Sequence, residues 1–331
     1  HLVAIRNWNL ITFVLKKSPF TFDEINRVNT FANAMDFDRV LPLYQRQHLP
    51  PFHHQLQDST FYVAIETLLS PEKTTFEKAY PFRIYPVTEN RPYFSQFLKL
   101  GRLSEIFPYL SNAMLPFLEL GYILLIVTFL VVIVIALILI LIPLFFHSSG
   151  KPHSRATFFY FAGLGLAYMF VEIVLIQRFV LYFGNPLYAS SAVISGMLIF
   201  SGIGSYISSR LSTTRRNLIR IGMGIAFILL LCAGFLTPFL KATIHFSFGV
   251  KFVISLACLA PVCLLMGMPF PLGLRNLKDN NPDDIPWAWG INGCLSVISS
   301  VLASILCVEM GFLGVILLAA FIYGVVGWVK N

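Results

Sequence analysis

Long uncharged stretches in the second half of the chain limit what it can fold into. No charged side chain occurs between Gly121 and Phe146, and about 20 consecutive apolar residues are enough for a helix to cross the hydrocarbon core of a bilayer. Comparable apolar runs follow as far as the C-terminus. This pattern predicts a polytopic membrane protein of mainly α-helical structure.

The composition agrees with this prediction and excludes other classes of protein. Hydrophobic residues make up 56% of the chain and charged residues 12%, against about 25% charged residues in an ordinary soluble domain. So few charges cannot solvate the surface of a compact soluble protein, and so much apolar surface is untypical of a disordered chain. The five cysteines lie in apolar runs without the spacing of a disulfide framework.

Seven stretches from about residue 119 onward satisfy the length criterion for a transmembrane helix. The expected fold is therefore a bundle of about seven transmembrane helices over 119–331. Asn185-Pro186 predicts the start of the third helix, because Asn caps helices and Pro is tolerated in the first turn. The fifth helix should break at Gly267-Met-Pro-Phe-Pro271. The seven expected spans are 119–146, 156–182, 187–208, 217–240, 248–269, 287–307 and 310–329.

The first part of the chain has the charge density of a soluble segment. The apolar, β-branched run Trp8–Leu15 predicts a buried strand, and Thr21 with Glu24 predicts a capping box at the start of a helix that reaches about Met35. An extended segment, Phe37–Tyr44, follows. Strand, helix and extended segment are typical of the last units of an α/β sheet. We therefore expect an α/β tail over 1–50 and a linker or pre-membrane segment over 51–118.

The basic residues predict an orientation that conflicts with a cytosolic soluble part. Up to Leu118 there are 12 Lys/Arg and 10 Asp/Glu, a net charge of +2, and beyond it there are 12 and 6, a net charge of +6. The positive-inside rule places the more basic set of loops in the cytoplasm, and an odd number of helices would then place the soluble part outside. That basic set comprises Lys151, Arg155, Arg210, Arg215, Arg216, Arg220, Arg275, Lys278 and Lys330, whereas the opposite connections hold Arg178, Lys241 and Lys251.

Two charged residues interrupt the second predicted span and form the first part of a candidate intramembrane polar site. A carboxylate in the bilayer costs about 2.5–3.5 kcal/mol on insertion scales, so Glu172 should face protein or water. It is either a proton or cation site or half of a structural ion pair, for which Lys251 and His245 are possible partners. Arg178 lies about 240° around the helix from Glu172 and is either part of the site or a snorkelling side chain near the helix end.

The sixth predicted span carries the second part of this candidate site. Asn292 and Ser296 begin a polar stripe that recurs every four residues through Ser304. The stripe either lines a path for a solute or lets neighbouring helices approach closely. Gly163-Leu-Gly165 in the second span resembles the start of a dinucleotide fingerprint, but it lacks the strand before it that such a motif requires, so close helix packing is the better explanation.

Just before the membrane, Glu89, Asn90 and Arg91 precede Pro92-Tyr-Phe94. They form a candidate docking segment, in which we expect the charged groups to have partners. No catalytic triad, phosphate loop, paired carboxylates or metal-ligand spacing stands out elsewhere. The residues alone therefore predict no catalytic, cofactor-binding or metal site, and nothing in them points to nucleic acid.

Several stretches together resemble polytopic membrane proteins with a spermidine synthase-like domain, which has the aminopropyltransferase or S-adenosylmethionine-dependent methyltransferase fold. The resemblance extends over nearly the whole chain, in the order and spacing of the motifs. Where that group commonly has two acidic residues before Arg-Pro, this chain has Glu89-Asn90. The matching stretches are Ser18-Pro-Phe-Thr21, Asp23-Glu-Ile25, Asn90-Arg-Pro-Tyr-Phe94, Phe170–Phe179, Gly184-Asn-Pro186, Gly267–Gly273 and Pro286–Gly293.

The resemblance implies that the chain is the C-terminal, membrane-embedded part of such a fusion protein. The upstream α/β domain would then hold S-adenosylmethionine or its decarboxylated form, so no catalytic or cofactor residue is carried over here. It would be a multi-pass protein of the plasma (inner) membrane of a bacterium, in contact with the lipid bilayer and the upstream domain, and its substrate would be polyamine-like. The bundle would anchor an aminopropyl- or methyl-transferase domain and could also handle its substrate.

Two alternatives remain open at this point. The chain could be a transporter or channel for a cation or polyamine-like solute with a regulatory soluble domain. Glu172, the Asn292 stripe and the broken fifth helix favour this alternative. It could also be a purely structural anchor. Whether the full-length protein is an enzyme therefore depends on the resemblance alone.

Overall fold

A computed structural model describes residues 1–7, 10–41, 60–106, 120–142 and 154–329. The chain divides into two compact units, His1–Ile84 and Tyr85–Asn331. The expected boundaries near residues 50 and 118 lie outside the described residues, as do Lys151 and Lys330. Each unit is described by itself below.

The first unit contains a small antiparallel sheet and a connecting helix. Strands β1 (Leu2–Arg6), β2 (Ile11–Leu15) and β3 (Asp38–Leu41) lie in the order β2–β1–β3. Because both outer strands are antiparallel to β1, β2 and β3 run parallel to each other, and helix α1 (Phe22–Ala34) connects them. Helices α2 (Thr60–Leu68) and α3 (Lys73–Ala79) follow in the same unit.

Helix α1 begins with the capping box that the sequence predicts. The Glu24 amide donates to Thr21 Oγ1 at 3.3 Å, and the Thr21 amide donates to Glu24 Oε2 at 2.8 Å. Lys16 Nζ also donates to Glu24 Oε1 at 2.6 Å. The Lys16 hydrogen bond, followed by the Thr21 backbone bond, lowers the pKa of Glu24 to about 2, because both stabilise the charged carboxylate.

The predicted strand within Trp8–Leu15 is confirmed as β2 for the described part of that run, but the prediction that it is buried is wrong. On β2, Phe13 is 57% exposed and Leu15 is 77% exposed, because β2 lies at the edge of the sheet that the described strands form, with β1 as its one neighbour there. The central strand β1, which the sequence analysis did not anticipate, is the buried one, with Val3 and Ala4 in the core.

The second unit is mostly helical, and six helical segments among its described residues are long and apolar enough to cross a membrane. A short helix, α4 (Leu103–Ile106), precedes them. The long helices are α5 (Leu120–Ala136, continued by a π-helical turn over Leu137–Leu141), α6 (Arg155–Phe183), α7 (Pro186–Ser208), α8 (Arg215–Ala242), α9 (Phe248–Met266) with the shorter α10 (Pro269–Asn280), and α11 (Ile285–Val326).

Two local predictions for these helices are confirmed. The Asn185 side chain caps α7 by accepting the Leu187 amide at 2.9 Å, with Pro186 in the first turn. Helix α9 ends at Met266, and α10 begins at Pro269. The break lies where two prolines, which lack the amide hydrogen that a continuous helix needs, follow Gly267.

Helix α11 reverses direction at Gly311, whose φ of 76° and ψ of 172° are not helical. A Cβ atom on Gly163 would lie 2.6 Å from Val326 Cγ2, and one on Gly165 would lie 2.6 Å from the Asn292 carbonyl oxygen. At about 1.5 Å of rise per residue, Asn292 and Val326 would be about 51 Å apart in one straight helix. Since both contact the same two turns of α6, the first arm (285–310) and the second arm (312–326) form a helical hairpin.

This hairpin contains both of the last two predicted spans. By length and composition, Pro282–Val326 counts as a single one of the six long apolar segments. It nevertheless comprises two arms that lie side by side. The first arm is long enough for the hydrocarbon core, and the second is about 22 Å long. The chain crosses the membrane seven times if both arms do so and six times if α11 crosses once.

One end of the bundle is held together by basic residues and is here called the basic end. Arg275 donates to the carbonyl oxygens of Ser209, at 3.0 Å, and Leu211, at 3.1 Å, just after the end of α7. Arg215, at the start of α8, donates to the Trp328 carbonyl oxygen after the second arm. Cations at helix C-termini satisfy carbonyls that have no partner within the helix.

A buried carboxylate also lies at the basic end. Asp284 is 5% exposed and accepts hydrogen bonds from the Ser154 amide at 3.3 Å and from the Thr157 hydroxyl at 3.0 Å. Both donors belong to the first turn of α6, where a negative charge is favourable. The first arm of α11, which starts at Ile285, therefore begins beside the start of α6.

The opposite end, here called the Arg178 end, joins the end of α6 to α8 and α9. The Tyr182 hydroxyl donates to Thr243 Oγ1 at 3.0 Å, and Lys251 Nζ donates to the Tyr182 carbonyl oxygen at 3.2 Å. The Lys251 ammonium also lies 5.2 Å from the centre of the Tyr182 ring. The hairpin reversal at Gly311 lies at this same end, beside Arg178.

Candidate functional site

Arg178 brings three parts of the second unit together near the end of α6. Its Nη1 donates to Thr237 Oγ1 on α8, and its Nη2 donates to Asn90 Oδ1 at 3.5 Å. The guanidinium carbon lies 5.0 Å from the centre of the Phe312 ring, a distance at which a cation is attracted to an aromatic face. Arg178 is thus a half-buried cation that contacts α8, the pre-membrane segment and the hairpin.

Asn90 is docked directly on the reversal of α11. The Phe312 amide donates to the Asn90 carbonyl oxygen at 2.9 Å, and the Leu313 amide donates to Asn90 Oδ1 at 2.8 Å. A Cβ atom at Gly311 would lie 2.6 Å from Asn90 Nδ2. The first amides of the second arm, which have no acceptor within their own helix, therefore donate to Asn90. Only a glycine at residue 311 leaves room for Asn90 to lie there.

Arg91 extends this docking to the other side of the reversal. It donates to the Glu309 carbonyl oxygen and, at 2.8 Å, to the Tyr85 hydroxyl. The Glu309 carboxylate accepts a hydrogen bond from the fully buried Tyr122 of α5 at 2.6 Å. Glu309 therefore links the tip of the hairpin to α5.

Tyr93 completes the segment. Its hydroxyl donates to Gln177 Oε1 on α6, and its ring lies edge-on to Phe312 at 6.0 Å between ring centres. Burial is the main cause that raises the pKa of Tyr93 well above its ordinary value, and the electrostatic effect of Cys307 acts in the same direction. The phenol therefore stays protonated and remains a hydrogen-bond donor at any physiological pH.

A cavity of about 220 Å³ opens beside Arg178. Glu89 and Lys241 form an ion pair at 2.9 Å across it, and their side chains are 54% and 60% exposed. Most of the remaining wall is apolar. The lining residues are Glu89, Arg178, Leu181, Tyr182, Thr237, Leu240, Lys241 and Ile244.

The structure does not bring the four predicted intramembrane residues into one site. Asn292 Nδ2 donates to the Phe161 carbonyl oxygen at 3.1 Å, and Ser296 lies against Gly165. Glu172 lies about 16 Å along α6 from Phe161, and Arg178 lies about 9 Å further on. Asn292 and Ser296 thus belong to the packing of the first arm on α6, at a different depth from Glu172 and Arg178.

Glu172 is half-buried on α6. Within the described parts of the chain it has neither an ion-pair partner nor a hydrogen bond, and its electrostatic neighbours are Tyr168 and Cys263. Lys251, which the sequence suggested as a partner, instead bonds to the Tyr182 carbonyl oxygen. The structural ion pair considered for Glu172 is therefore not seen among the described residues.

Close packing explains the glycines of α6. The position of a Cβ on Gly165 is 3.0 Å from Ser296 Oγ, and that of a Cβ on Gly163 is 3.3 Å from Ile322 Cγ2. Each glycine faces a different arm of the hairpin, in agreement with the small-residue interpretation of Gly163-Leu-Gly165.

Of the predicted docking residues, all three take part in the Arg178 end, but their partners were not foreseen. Nothing in the local sequence marks Lys241 or Gln177 as contacts of a segment about 85 to 150 residues away, or Thr237 as a partner of Arg178. Glu309 gave a usable signal, since it is the charge that separates the last two apolar runs, two residues before Gly311. In the described parts of the chain, no three His, Cys, Asp or Glu side chains are grouped so that they could hold a metal ion.

Comparison with known proteins adds no relative. No protein-family model, no curated protein and no solved structure matches this chain.

Proposed function

We propose that this chain is the membrane-embedded C-terminal part of a spermidine synthase-like fusion protein, in which the bundle anchors an aminopropyl- or methyl-transferase domain. The observation that carries the proposal is the attachment of the pre-membrane segment to the bundle. Asn90, Arg91 and Tyr93 make hydrogen bonds with α6 and α11. These bonds attach the pre-membrane segment to the bundle, as an anchor for a neighbouring domain requires.

The sheet of the first unit supports the same proposal. Its edge strand β2 presents large apolar side chains to the surface, with Leu10 before it and Phe13 and Leu15 within it. Natural edge strands are usually short, charged or covered. An exposed apolar edge is what a small sheet presents when it packs against further structure, as the tail of a larger α/β domain would.

The test uses the full-length fusion protein, with calorimetry to measure binding of S-adenosylmethionine and of its decarboxylated form. We expect one of the two to bind and transferase activity to be detectable. Exchange of residues 119–331 for an unrelated helical bundle should reduce activity if the bundle also positions substrate, and should leave it unchanged if the bundle is only an anchor. Absence of binding in a folded protein would remove the transferase half of the proposal.

Both arms of α11 are proposed to cross the membrane, which gives seven crossings. The contacts of both arms with the same turns of α6 support this number, because α6 is itself a candidate span. The positive-inside rule then places the basic end in the cytoplasm and the Arg178 end outside. The basic end carries Arg155, Arg210, Arg215, Arg216, Arg220, Arg275 and Lys278.

Reporter fusions distinguish seven crossings from six. With seven, a reporter after Val329 lies in the cytoplasm and one inserted at Ser247, between α8 and α9, lies outside. With six, in which α11 crosses once, the two reporters lie on the same side. A cytosolic fluorescent protein and a periplasmic phosphatase at each position provide complementary readings.

A second candidate function is transport of a cation or polyamine-like solute, and Glu172 is the observation that favours it. A half-buried carboxylate without an ion-pair partner in the described parts of the chain is expensive in a membrane and is commonly functional there. Uptake of radiolabelled spermidine or of protons into vesicles tests it, with Glu172→Gln as the variant. Uptake that is the same in the variant and the wild type would exclude this candidate.

A further inference from the structure

The cavity beside Arg178 has the features of a binding site for an anion. Arg178 makes hydrogen bonds to two neutral acceptors, Thr237 Oγ1 and Asn90 Oδ1. No carboxylate lies within ion-pair distance of it in the described part of the chain. A guanidinium carries five N–H groups, so these two bonds leave donors for a ligand in the cavity.

A second cation is available in the same cavity. Lys241 is paired with Glu89, but both side chains are more than half exposed, and ion pairs of this kind contribute only about 0–1 kcal/mol. A ligand oxygen can therefore replace the Glu89 carboxylate at little cost. Counting Arg178, Lys241 and Glu89, the cavity carries a net charge of +1, which favours an anion over a cation such as a polyamine.

The hydroxyl of Thr237 adds a third polar group. It accepts the hydrogen bond from Arg178, and its own O–H donates to no protein acceptor in the described residues. A guanidinium, an ammonium and a hydroxyl on one wall suit a group with several acceptor oxygens. A phosphate has enough oxygens to contact all three at once.

The rest of the wall is apolar and reaches the outer surface of the bundle. Leu181 and Ile244 line the cavity, and they are 45% and 41% exposed. On a membrane-spanning bundle, exposed apolar side chains contact acyl chains. A ligand that fits therefore combines a phosphate group with an apolar body.

We propose that this cavity binds the phosphate group of an amphiphile with a net negative charge, held between Arg178, Lys241 and Thr237. The phosphate can come from an anionic membrane phospholipid or from a soluble phosphate compound, and the experiment separates the two sources. The inference is independent of the transferase proposal, because it concerns the bundle alone and its test contains no adenosyl compound.

The experiment is native mass spectrometry of the whole chain in detergent, titrated with phosphatidylglycerol and, in parallel, with phosphatidylcholine. We expect one phosphatidylglycerol to bind in preference to phosphatidylcholine and Arg178→Gln to weaken that binding about 10-fold or more. The matched control is Arg210→Gln. Arg210 is exposed at the basic end, with its guanidinium over the Tyr206 ring, and its replacement should leave lipid binding unchanged.

Competition with inorganic phosphate identifies the source. If millimolar phosphate displaces the lipid, the site accepts soluble phosphate compounds, and if it does not, the ligand is a lipid headgroup. Should Arg178→Gln fail to fold, the double variant Thr237→Val with Lys241→Gln keeps Arg178 and should still weaken binding several-fold. Equal binding of both lipids, or equal affinity in the wild type and in a folded variant, would overturn the proposal.

Discussion

The Asn90 side chain accepts a hydrogen bond from the Leu313 amide at 2.8 Å, although 223 residues separate the two positions. The neighbouring Phe312 amide donates to the Asn90 backbone carbonyl. A residue of the pre-membrane segment therefore acts as the N-terminal cap of the second arm of α11. The segment and the hairpin consequently stabilise each other.

Replacing Asn90 with alanine should destabilise the bundle. It removes the cap of the second arm and leaves one N–H of Arg178 without its acceptor, and replacing a capping Asn by Ala costs about 0.5–2 kcal/mol. Unfolding of the whole chain in mixed micelles at increasing dodecyl sulfate concentration measures the loss. Asn280→Ala is the control, since that exposed amide bonds only within its own helix, and a loss as large in the control would contradict the assignment.

Two glycines of α11 should respond to alanine in opposite directions. Gly311 has a φ of 76°, and its Cβ would lie 2.8 Å from the Asn90 carbonyl oxygen. Gly311→Ala should therefore cost about 1–3 kcal/mol in backbone strain alone. Gly293 lies within the helical first arm with nothing within 4 Å of its Cβ position, so Gly293→Ala should stabilise by about 0.5–1 kcal/mol.

The same unfolding titration measures both glycine variants. The difference in sign is the informative result, because an error common to all variants shifts both values the same way. Two destabilising substitutions of equal size would show that residue 311 does not occupy the reversal of a hairpin.

The contact between α7 and α9 should depend on Gly204. A Cβ atom there would lie 2.0 Å from the Leu264 carbonyl oxygen, whereas Gly202 in the same helix has nothing within 4 Å. Forcing an extra methyl group into a packed interface costs about 1–3 kcal/mol. Gly204→Ala should lower the midpoint of thermal unfolding in detergent and Gly202→Ala should not, and equal midpoints would show that the two helices do not cross at residue 204.

Acid should weaken the start of α1 through Glu24. The folded pKa of about 2 lies below the ordinary glutamate value of 4.5, so the carboxylate's contribution to stability is fully present above pH 4.5 and is lost as the pH falls toward 2. In the wild type, the protection of the α1 amides from hydrogen exchange should decrease as the pH is lowered from 5 to 2.5.

The control for this prediction is Glu24→Gln, in which the group at residue 24 no longer titrates. Its α1 amides should lose the part of the pH dependence that belongs to the capping box. Carbon NMR of the Glu24 carboxyl gives the pKa directly. A midpoint near 4.5 would show that Lys16 and Thr21 do not hold the carboxylate in solution.

Features that depend on neighbouring residues were predictable from the sequence. The capping box of Thr21 and Glu24 and the cap of α7 at Asn185 involve groups two or three residues apart, and the break after Gly267 follows from the backbone chemistry of proline. The strand β2 was predicted correctly, but its predicted burial was wrong because burial depends on distant parts of the chain. The run is apolar enough for a core, but β2 lies at the edge of its sheet.

The amino-acid pattern alone specifies that much of this chain forms long apolar helices and where several of them begin and end, because helix capping and apolar runs are properties of residues close together in the chain. Three relationships were apparent only from the folded protein. They are the contact of Asn90 with Gly311, the cavity between Arg178 and Lys241, and the distance of Glu172 from Asn292. Those relationships join residues up to 223 positions apart. They follow from how the helices pack, and several packings are compatible with the same apolar pattern.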